Sequence, residues 1–157
     1  MAYNVNIVKG DPSRFEEYSA IFDSSSLYEH YFKDTDTLAQ WVKPALEKGQ
    51  VWIAESADGE PVGLMVMTMD GMFGELPYLA LLGVKEGFRS KGIGETLIQF
   101  FFGVCKGMGF DKAFIATSDF NVRAKQLYQR LGFKKILVVP DLLKKGIAEQ
   151  LFMIELK

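Results

Sequence analysis

The stretch Leu79–Leu97, LALLGVKEGFRSKGIGETL, sets the frame for the whole chain. An apolar run ends at Val84, a polar turn follows, and Arg89-Ser90-Lys91-Gly92-Ile93-Gly94 leads directly into a helical pattern. This reads as a strand, a glycine-bearing loop and a helix start. The first N–H groups of a helix have no carbonyl partner, and the aligned peptide dipoles place partial positive charge there. Gly92 and Gly94 lack a Cβ, so the backbone can turn sharply and approach a ligand closely. Arg89 and Lys91 add two full positive charges. Together these features suit a bound phosphate or pyrophosphate.

Two familiar phosphate loops are excluded. A Walker-type loop, G-x-x-x-x-G-K-S/T, would need Lys and Ser or Thr where Ile93 and Gly94 stand. The dinucleotide fingerprint, G-x-G-x-x-G/A, fails at Leu97. What remains, R-x-x-G-x-G between strand and helix, resembles the signature of the GNAT superfamily of acyl-CoA-dependent N-acetyltransferases. Six residues of this kind also occur in ordinary strand-to-helix connections, so a second signature matters. Asn121-x-x-Ala124-x-x-Leu127-Tyr128-x-x-x-Gly132-Phe133 is similar to that family's second motif and follows at the usual distance.

Composition narrows the alternatives. The 157 residues are most simply one domain spanning 1–157, able to bury roughly two thirds of the unfolded surface. At 48% apolar and 13% aromatic, the chain can pack a core and is not globally disordered. A net charge of −2 without a dense basic run gives no reason to expect nucleic acid as a partner. Cys105 is the sole cysteine, which rules out an intrachain disulfide and fits a reducing compartment. The N-terminus lacks the pattern of a secretion leader, and no apolar run approaches the roughly 20 residues that span a bilayer. The expectation is a cytoplasmic protein with no membrane partner.

Taken in order, Asn4–Lys9 alternates as a first strand. Ser13 with Glu16 reads as a capping box opening a helix that carries Phe15, Tyr18, Ile21 and Phe22 on one face. Leu27–Phe32 is aromatic-rich without a clean period, and a second helix runs from Asp36 toward Gly49 despite Pro44. Gln50–Glu55 and Val62–Met69 read as a hairpin turning at Ala57-Asp58-Gly59-Glu60, and Tyr78–Val84 as the next strand. A helix follows from Ile93 to Gly107, then a short buried strand Ala113–Thr117. The next helix begins at Asn121, with Val122, Leu127, Tyr128 and Leu131 facing inward and Gly132 ending it. Phe133–Val139 and Gln150–Leu156 read as closing strands around a loop containing Pro140 and Gly146. Strand-helix-strand passages beside an antiparallel set argue an α/β fold with a mixed, largely antiparallel central sheet flanked by helices. The GNAT-like acyl-CoA N-acyltransferase fold has the same element order across nearly the whole chain.

The resemblance implies acetyl-CoA as co-substrate, no metal, and direct acetyl transfer to a primary amine on a small molecule or peptide. It assigns the pyrophosphate to backbone N–H groups of Arg89, Ser90, Lys91, Gly92, Ile93, Gly94 and Glu95. It assigns the pantetheine arm to the backbone of Leu82 and Val84, paired like a short added strand. The Leu82 N–H is the implied donor to the thioester carbonyl, worth roughly 3–4 kcal/mol by analogy with oxyanion holes. Asn121 and Tyr128 are implied to lie across the cleft near pantetheine and sulfur, with Tyr128 protonating the leaving thiolate.

An amine must be neutral to attack, and neutralising an alkyl ammonium at pH 7 costs about 4.6 kcal/mol. Many relatives place a carboxylate on the strand before the loop, but eleven positions before Arg89 stands Tyr78. Glu75 and Glu86 are the nearest acids and could reach the cleft directly or through water, but each reads first as a surface charge. The base stays open. Cys105 among Phe101, Val104 and Met108 reads as a core thiol, and His30 has no evident partner for a metal or triad. The resemblance places acceptor specificity around the first two helices. Phe22, Tyr28, Tyr31 and Phe32 can line such a pocket, and Asp23, Glu29, Asp34 and Asp36 suit a cationic amine, although a polar linker explains the same composition. The competing class is a CoA-binding sensor without turnover. The apolar segment 138–147 suits either a homodimer contact or a hairpin packed on its own domain.

Overall fold

The computed structural model describes residues 3–157. Its strands are β1 (Asn6–Lys9), β2 (Val51–Glu55), β3 (Pro61–Met72), β4 (Leu76–Val84), β5 (Lys112–Ser118), β6 (Lys134–Lys144) and β7 (Ile147–Glu155). They form one sheet in the order β1-β2-β3-β4-β5-β7-β6. β4 and β5 run parallel, while β1–β2, β2–β3, β5–β7 and β6–β7 pair antiparallel. The helices are α1 (Phe15–Ser19), α2 (Thr37–Glu47), α3 (Ile93–Gly107) and α4 (Val122–Arg130). The mixed, largely antiparallel sheet flanked by helices is therefore the architecture that forms. No helix among the described residues is long and apolar enough to cross a membrane.

By Cα proximity the chain divides into two units, one of residues to Met67 with Leu81–Phe100, the other of Thr68–Ala80 with Phe101–Lys157. In the first, β3 is buried from Pro61 through Met67 because both its faces are covered. Gly63 makes one close approach possible: a Cβ there would stand 3.1 Å from both Ile93 Cγ2 and Leu97 Cδ1. The start of α3 is thereby seated directly on β3. The aromatic rings of this unit pack edge to face, Phe22 on Phe32 at 5.5 Å and Phe32 on Trp41 at 5.4 Å. In the second unit Tyr128 of α4 packs on Phe133 and on Phe152 of β7, each at 5.9 Å.

Three local expectations are corrected, and one open segment is assigned. Asp11, not Ser13, caps the first turn: its carboxylate accepts from Ser13 N and Oγ at 2.9 and 2.8 Å. Pro12 then opens a 3₁₀ turn, Pro12–Arg14, which precedes α1. The aperiodic aromatic segment is a π-helical turn, Tyr28–Phe32, whose five-residue spacing no 3.6-residue pattern would reveal. Val122 is 54% exposed, since it is the first residue after the Asn121 cap and lies outside the packed face. Finally, β6 does not stop at Val139 but continues through Pro140 to Lys144. A proline without an N–H is tolerated because β6 is the sheet's edge. The pairing shifts register between Val139 and Lys144, Asp141 takes a left-handed φ of 56°, and its carboxylate accepts the Gly146 N–H at 2.6 Å.

Candidate active site

The loop before α3 has the backbone shape of an anion cradle. Ser90 and Gly92 are both left-handed, with φ of 64° and 83°. Such alternation turns successive N–H groups toward one concavity. The α3 ladder begins where Thr96 N donates to Gly92 O at 3.0 Å. The N–H groups of Gly92, Ile93 and Gly94 therefore precede the ladder and have no carbonyl one turn back. Ser90, Lys91 and Gly92 are exposed, and Tyr3 N pins the loop by donating to Lys91 O at 2.8 Å. This donor set fits a diphosphate: several amides, the α3 dipole and the Lys91 ammonium share one edge. Glu95, in the first turn of α3, is the acid in that neighbourhood.

Arg89 has a different engagement from the one its charge suggests. Its Nε donates to Val84 O at 2.8 Å, and its two terminal nitrogens reach Ser24 O and Asp23 O at 3.5 and 3.4 Å. The guanidinium is a bracket between the end of β4 and the turn after the first helix, where Ser24 is left-handed at φ 62°. A planar five-donor fork suits that task, and an ammonium would not replace it.

β4 presents two edges. Lys85 N donates to Val62 O at 2.8 Å, so the edge containing Lys85 faces β3. Strand alternation then turns the N–H and C=O of Leu82 and Val84 the other way. The β4–β5 pairing comprises Tyr78↔Phe114 and Leu79↔Ile115, and β4 itself continues to Val84.

In the second unit Asn121 caps α4, its Oδ1 accepting from Ala124 N at 3.4 Å, so part of that side chain is committed to the helix. Tyr128 is 5% exposed, and burial, reinforced by the neighbouring Tyr78, raises its phenol above the ordinary tyrosine range. Tyr78 is half-buried and also raised, first by desolvation and then by the charge of Glu149. Burial keeps both phenols protonated at neutral pH. Glu75 and Glu86 are exposed, whereas Cys105 is fully buried with its thiol pushed up to about 12 by desolvation. His30 Nδ1 lies 2.8 Å from Ser26 O, in the turn just before its own.

With this geometry in place, comparison with known proteins is decisive. The model of the Acetyltransferase (GNAT) family matches residues 14–133. The chain belongs to the GNAT family of acetyltransferases. It is 25% identical over 136 residues to a peptidyl-lysine N-acetyltransferase of Salmonella typhimurium, covering 83% of each chain. It is also 25% identical over 103 residues to a D-amino-acid N-acetyltransferase of Saccharomyces cerevisiae, spanning 64% of that protein's length. Its fold resembles that of a GNAT acetyltransferase from Bacillus cereus, with a TM-score of 0.74, 17% identity and 97% of each chain covered. A second GNAT structure, from Staphylococcus aureus, has a TM-score of 0.74, 22% identity, and 98% and 100% of the two chains covered.

Two residues of this GNAT chain escaped sequence reading. Ser118 and Glu149 are buried, and Ser118 Oγ lies 3.0 and 2.8 Å from the two carboxylate oxygens. Sequence reading starts the last strand at Gln150, which leaves Glu149 in a loop. The actual strand begins at Ile147 and puts Glu149 opposite Ser118. Only register could reveal this.

Proposed function

We propose that the chain transfers an acetyl group from acetyl-CoA directly to a primary amine. The observation that carries this reading is the paired backbone: left-handed Ser90 and Gly92 opening onto the first amides of α3, beside a β4 edge that offers Leu82 and Val84. The amides from Arg89 to Glu95, with Lys91, bind the diphosphate. The backbone of Leu82 and Val84 pairs with the amides of the pantetheine arm. Leu82 N–H then points its dipole at the thioester carbonyl, where negative charge grows as the amine attacks. Arg89 acts through its three carbonyl contacts, holding the end of β4 against the turn at Asp23–Ser24. Asn121 contributes its uncommitted amide near the pantetheine.

Tyr128 serves the departing sulfur. Its raised phenol is a weaker acid than free tyrosine, so it acts chiefly by donating a hydrogen bond to the developing thiolate, which takes up a proton as it leaves. A primary amine acceptor is supported by the two relatives, named for amino groups of D-amino acids and of peptidyl lysine.

Two measurements test the reading. Calorimetric titration with acetyl-CoA should show saturable binding that weakens as salt rises, because phosphate contacts are screened. Thiol release should then become dependent on an added acceptor from a panel of polyamines, aminoglycosides, amino acids and peptides. Saturable binding with no acceptor-dependent release across that panel would instead describe a CoA sensor.

A further inference from the structure

The turn that joins β3 to β4 thrusts an aromatic ring into solvent. Glu75 N donates to Met72 O at 3.1 Å, and the two residues between them, Phe73 and Gly74, are left-handed, with φ of 58° and 75°. This is the backbone of a type I′ turn, whose first central position favours Asn, Asp or Gly because they adopt a positive φ at little cost. A bulky side chain in that conformation is rare. Yet Phe73 stands there, and it is 83% exposed. Neither backbone preference nor burial within its own chain accounts for a phenylalanine at this tip. Asp70 and Glu75 flank it, and both are exposed. The tip is an acidic, aromatic knob.

In the same unit, β6 has the opposite character. Ile136, Leu137, Val138, Leu142 and Leu143 are each between 43% and 57% exposed. Lys134 and Lys135 precede them, Lys144 and Lys145 follow, and all four are exposed. Asp141, the one acid between, already accepts the Gly146 N–H. The result is a basic, aliphatic strip. Pro140 lacks an N–H and Asp141 is left-handed, so β6 is a poor template for an added strand, and its side chains are what a partner meets. Knob and strip complement one another in charge, but β5 and β7 stand between β4 and β6, so the two do not meet within one chain. We propose that a second copy of this chain docks here as a two-fold dimer. Phe73 of each copy sits among Ile136, Leu137 and Val138 of the other, with Asp70 and Glu75 against Lys134 and Lys135. A two-fold axis makes both contacts at once. At about 90 Å² apiece, the five aliphatic side chains together with Phe73 expose roughly 600 Å² on one copy and about 1,200 Å² on two, the size a specific dimer needs. An interface at that lower bound corresponds to a micromolar dissociation constant.

Sedimentation velocity of the full chain, from about 1 μM to about 500 μM, should show a monomer converting to a species of twice its mass. Phe73→Asn gives the turn a residue it favours, so this variant folds, and it should weaken dimerisation about thirtyfold or more. Lys134→Glu combined with Lys135→Glu should weaken it about tenfold, and by more in low salt than in high. Adding Asp70→Lys and Glu75→Lys to that pair restores opposite charges across the contact and should recover the dimer. Circular dichroism checks that each variant is folded. A wild-type chain still monomeric at about 500 μM overturns the proposal. So does a dimer that Phe73→Asn and the lysine reversals leave intact, or a charge swap that recovers nothing. A mass that climbs past the dimer with concentration overturns the two-fold closure, because a head-to-tail contact would then be extending without end.

Discussion

Lys91 is an exposed cation on a left-handed loop, and its contribution is electrostatic. Lys91→Ala should weaken acetyl-CoA binding by about 1 kcal/mol, roughly fivefold, in low salt and by less in high salt. Calorimetry at two ionic strengths reads both numbers. Tyr128→Phe keeps the ring packing on Phe133 and Phe152 and removes only the hydroxyl. Its kcat should fall about a hundredfold at saturating substrates, with acetyl-CoA affinity intact; unaltered turnover would take Tyr128 out of the mechanism. Cys105 makes a prediction about pH rather than catalysis. Burial pushes its thiol up to about 12 in the fold, above the ordinary cysteine range. Between the two, the unfolded chain has lost a proton that the native state keeps, so stability falls as pH rises. Urea midpoints at pH 8 and pH 10 should diverge in the wild-type chain, and by less in Cys105→Ala.

At the scale of elements, the bend of each loop is dictated by what it must deliver. β4 carries Gly83 because a Cβ there would stand 2.3 Å from Phe22 Cε1 and 2.7 Å from its Cζ. Phe22 is 1% exposed and held edge-on by Phe32, so it cannot yield. Gly83→Ala should therefore destabilise the chain by about 1–3 kcal/mol, seen as a lower urea midpoint. It should also weaken acetyl-CoA binding, because the displaced backbone lies between Leu82 and Val84. β6 illustrates the opposite latitude. An edge strand tolerates Pro140 and a register shift, and Ile136, Leu137, Val138, Leu142 and Leu143 all remain exposed along it. The period of hydrophobicity there could not tell where the strand ended, because no burial selected one face. The hydrophobic pattern was clearest where burial was one-sided: from Ile93 the spacing predicts Leu97, Ile98, Phe101, Val104, Cys105 and Met108 on one face, and all are buried or partly buried except Met108, which lies just past the end of α3 and is 59% exposed.

For the molecule as a whole, a ligand that binds the native chain alone must raise its stability. Acetyl-CoA at one hundred times its dissociation constant should add about 2.7 kcal/mol. For a chain of this size that corresponds to a rise in Tm of roughly 5–10 °C, readable by scanning calorimetry; an unchanged Tm would argue against binding. The sequence alone determined the strand-loop-helix at Leu79–Leu97, the second motif through Tyr128, and hence the family and the mixed sheet. Those features are local, because glycine conformation, helix spacing and motif order are written in neighbouring residues. Tertiary structure alone decided that Arg89 turns its charge onto the carbonyls of Val84, Asp23 and Ser24. It also decided that Glu149 meets Ser118 across two strands, on the face of Tyr78. Those partners are separated by 31 residues or more, except for Val84, so only strand register and side-chain direction bring them together.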